Sequence, residues 1–133
     1  MGAQFISAQE VVREELDWGR LAWACRPAST GARQLVVIEV TLAPGKGHAF
    51  HKHPQQEEVI YVIEGQVEQW LEQEKRVLGS GDVVFIPADA VHASFNTSNH
   101  NAKLLAILGP AMAGPTGYEV IEVASQPPWN TLR

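Results

Sequence analysis

What most constrains this chain is the rhythm of its apolar residues. GRLAWACR, QLVVIEVTL, GHAFHKH, EEVIYVIEG, QVEQWLE, KRVLG, GDVVFIP, VHASFN, AKLLAILG and YEVIEV follow at close intervals. They are rich in Val, Ile and aromatic residues, and Pro44-Gly45, Gly65, Gly79-Ser80-Gly81, Pro87, Asn99 and Gly109-Pro110 separate them. Short β-branched runs between turn residues predict an all-β chain, a sandwich or barrel of antiparallel strands. The one helix signal lies in residues 5–17, FISAQEVVREELD, where Ser7 and Glu10 have capping-box spacing and predict a turn of helix.

Within this frame residues 48–65, HAFHKHPQQEEVIYVIEG, concentrate chemistry. His51 and His53 are two positions apart, so on an extended strand both imidazoles point to one face and converge. A polar loop ahead of a strand is the plainer alternative, and the spacing favours a metal site. His48, an odd number of positions from His51, is expected to face away as a surface histidine, and His100 to sit exposed in the turn SNHN.

Composition excludes several other functions. The chain has 133 residues, which fits one domain over 1–133 with a core at 35–108, a strand segment at 1–34, and a last strand and tail at 109–133. Its net charge is −5 with ten scattered Lys and Arg residues, so it lacks the basic footprint of a nucleic-acid binder. Cys25 is the only cysteine, which excludes an internal disulfide and predicts a buried, inert thiol. The N-terminus has neither the basic nor the apolar region of a secretory signal, and no stretch approaches the ~18 apolar residues of a spanning helix. Ile6 stands where a myristoylation signal needs Ser or Thr. A cytoplasmic protein with no membrane partner is expected, and Asn96-Thr97-Ser98 is then not a glycosylation acceptor.

The spacing continues downstream. Gly45 precedes His51 by six, Glu58 follows His53 by five, and Gly65 lies seven further on; Gly81 precedes Pro87 by six, His92 follows by five and Asn96 by four. The segments GKGHAFHKHPQQEEVIYVIEG and GDVVFIPADAVHASFN thus resemble the two motifs of the cupin family, G(X)5HXH(X)3,4E(X)6G and G(X)5PXG(X)2H(X)3N. Nine of ten defined positions match, and the fifteen residues between Gly65 and Gly81 are similar to the short spacer of small single-domain microbial cupins. The departure is Asp89 in place of glycine, a residue that tolerates the positive φ the turn requires.

The resemblance covers residues 35–108. It implies a double-stranded β-helix, or jelly-roll, with one divalent transition metal per chain held by His51, His53, Glu58 and His92. Only Glu58 leaves six residues before Gly65, so Glu57 is expected to point away. Three imidazoles and a carboxylate suit Fe, Mn, Ni, Zn or Cu and leave open positions on an octahedral ion. The family's range implies a metalloenzyme acting on a small oxygenated metabolite, of dioxygenase or isomerase/lyase type, by chelation. The alternative is a non-catalytic ligand-binding or sensing barrel with a structural metal.

Alternation places Ala49, Ile60, Val62, Ser94 and Asn96 on the metal's face, with Ser94 and Asn96 as candidate substrate contacts; Asn96 equally suits a turn-stabilising role. Lys52 points the other way, so the expected ligand is a small neutral or mono-carboxylate molecule rather than a sugar phosphate. Trp70 alternates with Gln66, Glu68 and Glu72 and is expected to be exposed or part of a partner patch. QLVVIEVTL, EEVIYVIEG and AKLLAILG are apolar on both faces, which predicts a homodimer, with coverage by the chain's own termini as the alternative.

Overall fold

Alternation of apolar and polar residues dictates two sheets that face each other, and the computed structural model, described for residues 2–133, has them. The six-stranded sheet runs β1 (Val12–Leu16), β2 (Gly19–Cys25), β3 (Val36–Leu42), β10 (Ala102–Gly109), β5 (Glu57–Glu64), β8 (Val83–Ile86). The five-stranded sheet runs β11 (Ile121–Glu122), β4 (Gly47–Lys52), β9 (His92–Phe95), β6 (Val67–Leu71), β7 (Glu74–Leu78). All neighbouring strands are antiparallel. The fold is all-β, a jelly-roll of two sheets.

The inner face of the larger sheet is apolar. Val36, Ile38, Val40 and Leu42 of β3 alternate with half-buried residues, as do Ala102, Leu104, Ala106 and Leu108 of β10, and together with Ile60 and Val62 of β5 they form the main core. The inner face of the smaller sheet is polar at its centre, where His51, Gln69, His92 and Ser94 are all buried. A buried polar patch facing an apolar wall is where function is expected, because such groups cost free energy unless they are paired.

The N-terminal helix expectation does not hold. Glu10 N–H donates to Ser7 O at 3.0 Å and Ser7 Oγ meets Glu10 Oε1 at 3.0 Å, but the turn ends there and Val12–Leu16 pairs with β2. Its side chains are mostly exposed, so the ladder to an open edge, rather than an apolar face, makes it a strand. A single helical turn, α1 (Pro27–Thr30), and a 3-10 turn at Trp129–Thr131 complete the elements. Among the described residues no helix is long and apolar enough to cross a membrane. Cys25 is half-buried, not buried, with Sγ 3.4 Å from Thr30 Oγ1.

Asp89 has φ 70°, the left-handed conformation that glycine supplies in the related motif. Its amide donates to His53 O at 2.9 Å and its carboxylate meets Lys52 Nζ at 3.2 Å, so the turn is tied to β4 from both ends.

Trp70 is not exposed. It is 5% accessible and packs with Phe50, Val91, Ala93 and Val123 in a second core on the outer face of the smaller sheet, roofed by Trp129 and Leu132. Its Nε1–H donates to Glu68 Oε2 at 2.9 Å, and Arg133 donates to the same oxygen at 2.7 Å while lying 3.8 Å over the Phe95 ring. The C-terminal segment thus supplies the cover that local alternation does not reveal. Trp70→Ala is expected to cost about 3–5 kcal/mol in chemical denaturation, the range for an indole in a packed core.

Candidate metal centre

His51 is delivered by β4, His53 by the residue just after it and His92 by β9, where His51 and His92 are directly paired across the ladder. Glu58 comes from β5 in the opposite sheet. The three histidines are buried and each offers a ring nitrogen within 4.8 Å of the others. Glu58 Oε1 lies 3.2 Å from His53 Nε2 and 3.0 Å from His92 Nε2. Glu57 is exposed, and Glu58 is the inward carboxylate.

Each imidazole is oriented by a backbone carbonyl. Nδ1 of His51 donates to Ala49 O at 2.6 Å, that of His53 to Glu119 O at 2.7 Å, and that of His92 to Ala90 O at 3.0 Å. A carbonyl can only accept, so each Nδ1 carries the proton and each Nε2 of the neutral ring keeps a lone pair. Glu58 Oε1 and His92 Nε2 are buried and lack hydrogen-bond alignment despite their 3.0 Å separation. With the ring neutral and Nδ1 protonated, both facing atoms are acceptors, and a proton or a cation between them relieves the contact. Donors adjacent on an octahedral ion with bonds of ~2.1 Å stand about 3.0 Å apart, so these separations fit a shared ion.

Burial, with the neighbouring His48, His92 and His53 adding to it, drives the His51 pKa well below its ordinary value and outweighs the Ala49 carbonyl. Burial also opposes charge on His53 and Glu58. There the contact between them prevails, helped for His53 by the Glu119 carbonyl and for Glu58 by His92, so His53 is raised and Glu58 lowered.

His48 departs from expectation. The β4–β9 pairing runs His48↔Ser94 and then His51↔His92, three residues against two, so a bulge lies between them. The extra residue reverses the parity and brings His48 onto the face of His51. Their rings stack at 3.6 Å, Trp18 stacks on the other side of His48 at 5.0 Å, and His48 Nε2 meets Glu122 Oε2 at 3.0 Å.

Ser94 lines the chamber beside the histidines, with Oγ donating to Gln69 Oε1 at 2.6 Å. Asn96 is buried beyond it. Its Nδ2 donates to Leu42 O at 3.0 Å and His100 O at 2.6 Å, while Oδ1 accepts from Ser98, so it stabilises the turn at 96–100 and does not line the chamber. Ile60 lines the chamber, whereas Ala49 and Val62 do not. His100 is exposed, as its turn predicts.

Gln56 and Tyr118 carry weight that spacing does not announce. Gln56 is 1% accessible; its Nε2 donates to Pro110 O at 3.0 Å and Gly117 O at 2.8 Å, and its Oε1 accepts from Glu119 N at 3.1 Å. It thereby fixes residues 117–119, which supply the carbonyl for His53 and place Tyr118 5.0 Å from the His53 ring. Burial, then Glu58, Glu122 and Glu14, raise the Tyr118 phenol far above its ordinary pKa. A buried glutamine in the run QQEE has no sequence signal, and Tyr118 lies outside both motifs.

A family model described as the Cupin domain matches residues 38–108. The polyketide synthase CurC of Streptomyces cyaneus is 27% identical over 116 residues, 87% of this chain and 75% of that protein. Quercetin 2,3-dioxygenase of Bacillus subtilis is 29% identical over 82 residues, 62% of this chain and 24% of the dioxygenase. The structure of KdgF from Halomonas sp. superimposes with a TM-score of 0.71 at 20% identity, covering 80% of this chain and 94% of that one, a likeness of fold.

Gln56→Ala is expected to leave the Pro110 carbonyl and the Glu119 amide unpaired, while Gly117 O keeps the Met112 amide, and to lower stability by about 2–4 kcal/mol. Hydrogen exchange should show the loss concentrated at the Glu119 amide.

Proposed function

This chain belongs to the cupin family, and we propose that it holds one divalent transition metal through His51, His53, His92 and Glu58 and acts on a small oxygenated metabolite, as a dioxygenase or an isomerase/lyase. The observation that carries this reading is the fixed orientation of three buried imidazoles by three separate carbonyls. Rings oriented for packing alone would not need a shared tautomer. When bound, the ion supplies Lewis acidity, or oxygen activation if it is iron, at open coordination positions.

The chain's own residues fix what can approach. Leu21, Ile38, Val40, Leu104 and Ala106 wall the chamber, so a ligand there sheds water from its apolar part while its oxygens turn towards the histidines. Ser94 and Tyr118 are the hydroxyls beside them. No lysine or arginine lines the chamber, which supports a neutral or mono-carboxylate ligand over a sugar phosphate. The names of the two sequence relatives, a polyketide synthase component and a dioxygenase, are compatible with chemistry on small oxygenated carbon skeletons.

His51→Ala, His53→Ala and His92→Ala are each expected to lower metal affinity by ~10-fold or more with the barrel still folded, as is Glu58→Gln, whereas Glu57→Gln leaves it intact. Metal stoichiometry on each purified variant, with circular dichroism as the fold control, is the measurement. Oxygen uptake by the iron-loaded protein, against turnover of hydroxy-ketones by the manganese, nickel or zinc forms, separates the two reaction types.

A homodimer belongs to the same reading. The outer face of the larger sheet carries Val37, Val59, Tyr61, Ile63, Phe85, Leu105 and Ile107, none of them buried, and Tyr61 and Phe85 are 43% and 52% accessible. The C-terminal segment covers the other sheet instead. A second copy packed about a twofold axis would bury this face against itself. Light scattering at micromolar concentration is expected to give twice the 14.6 kDa chain mass, and Tyr61→Lys with Phe85→Lys to give the monomer.

A further inference from the structure

The space beside the histidines is divided into two chambers. The inner one has about 40 Å³ of free volume and reaches His51, Glu58, His92 and Ser94. The outer one has about 360 Å³ and lies between β1–β2 and residues 116–122. Trp18, Leu21, His48 and Tyr118 line both, so the two are adjacent and share these side chains as their common wall.

We propose that the outer chamber is the second half of the ligand site and takes an uncharged, flat ring whose two adjacent oxygens extend inward to the histidine cluster. The proposal rests on the metal-centre reading and narrows it to a class of ligand. Volume is the first argument. A benzene ring occupies a cavity of ~150 Å³, so the inner chamber admits only the chelating atoms and the body of the ligand remains outside. The outer chamber is within the range of ligand pockets, ~300–1,000 Å³.

The walls decide the shape. Glu14 pairs with Leu21 and Val12 with Trp23 across the β1–β2 ladder, which sets Glu14 and Leu16 beside Leu21 and Trp23 on one face. Opposite them stand Tyr118 and Val120. Trp23 and Tyr118 meet edge to face at 5.8 Å and Trp18 stacks on His48 at 5.0 Å, so two aromatic pairs present faces and edges to one space. Such surfaces favour another π-system.

Charge decides the rest. Glu14 and Glu122 line the chamber and no lysine or arginine does; Arg26 is spent over the Trp23 ring at 4.7 Å. Glu122 meets His48 Nε2 at 3.0 Å and Glu14 accepts from Trp23 Nε1 at 3.2 Å, so a carboxylate or phosphate on the ring would face two carboxylates whose partners are already engaged and no lysine or arginine. Tyr118 stands where the chambers join, and its hydroxyl makes no hydrogen bond to any described residue. It is positioned to donate to one of the ligand's oxygens.

The test uses the protein loaded with Zn(II), which is redox-inert, and calorimetric titration with 4-methylcatechol, 3,4-dihydroxybenzoate and glycolate. Methylcatechol is expected to bind ~10-fold or more tightly than either acid. Glu14 does not line the inner chamber, so its charge reports on the outer one. Glu14→Gln, at an exposed carboxylate, is expected to bring dihydroxybenzoate within ~3-fold of methylcatechol, and Tyr118→Phe to weaken methylcatechol by ~3- to 10-fold with zinc content unchanged. Full zinc uptake with glycolate binding as tightly as methylcatechol, or with no response to Glu14→Gln, overturns the outer site and leaves the metal centre standing. A chain that takes up no zinc or other divalent metal overturns the centre, and this inference with it.

Discussion

Turning three imidazoles inward on the wall of a small barrel is the demand that organises this molecule. Each ring leaves water, and each must have its Nδ1 proton received before its Nε2 can be offered to anything else. Ala49 in β4 and Ala90 in the turn before β9 receive two of them, each two residues back, so those rings are fixed by local backbone. The third depends on Glu119, sixty-six residues away in sequence, and so on the segment that Gln56 holds in place. The position of His53 is therefore a tertiary property, and Gln56 joins the motif-bearing strands to the C-terminal part of the chain.

The two sheets resolve their outer faces differently, and the reason lies in what each inner face carries. The smaller sheet contributes its inner face to the polar cluster, so its own apolar packing has been moved outward to Phe50, Trp70, Val91 and Ala93, under Trp129 and Leu132. The larger sheet keeps the main core inside and needs no such roof to fold. Its outer face nonetheless carries Leu105 and Ile107 of β10 and Val59, Tyr61 and Ile63 of β5 beside Val37, while Glu39 and Thr41 make the rest of β3 polar.

Strands and site differed in how far they could be read from residues alone. Apolar runs between turn residues locate the strands from β2 to β10 to within a few residues, most securely where one face is buried, as in β3 and β10; β7 is as exposed as β1 and is marked by the glycines that follow it and by β6 before it. Val12–Leu16 escaped this reading because that strand buries almost nothing. The four motif positions His51, His53, Glu58 and His92 were legible because glycine-bounded spacing counts residues along the chain, and counting survives a bulge. Parity does not survive one, which is why His48 was placed on the wrong face. Trp70 was misplaced for another reason: alternation reports which face a residue is on, and the cover supplied by Trp129 is distant in sequence. Gln56, Trp18 and Tyr118 act through contacts across the fold, which no local pattern encodes.

The placement of charge follows the same economy. Basic side chains are paired on the outside: Arg20 with Glu15, Lys52 with Asp89, Lys103 between Glu39 and Glu64, and Arg133 with Glu68. Glu58, Glu14 and Glu122 instead surround Tyr118 at the chambers, and apart from histidine no basic residue lines that space. Glu14 and Glu122 are exposed and screened by water, whereas Glu58 is buried, so it is at Glu58 that a neighbouring cation matters most. A divalent ion at the histidines would offset two of these charges and leave the space close to neutral. On the proposed reading an uncharged ligand leaves this balance as it is, whereas a phosphate adds up to two charges that no lysine or arginine of the chambers offsets. The carboxylates that favour the ion would, on this reading, also disfavour a sugar phosphate.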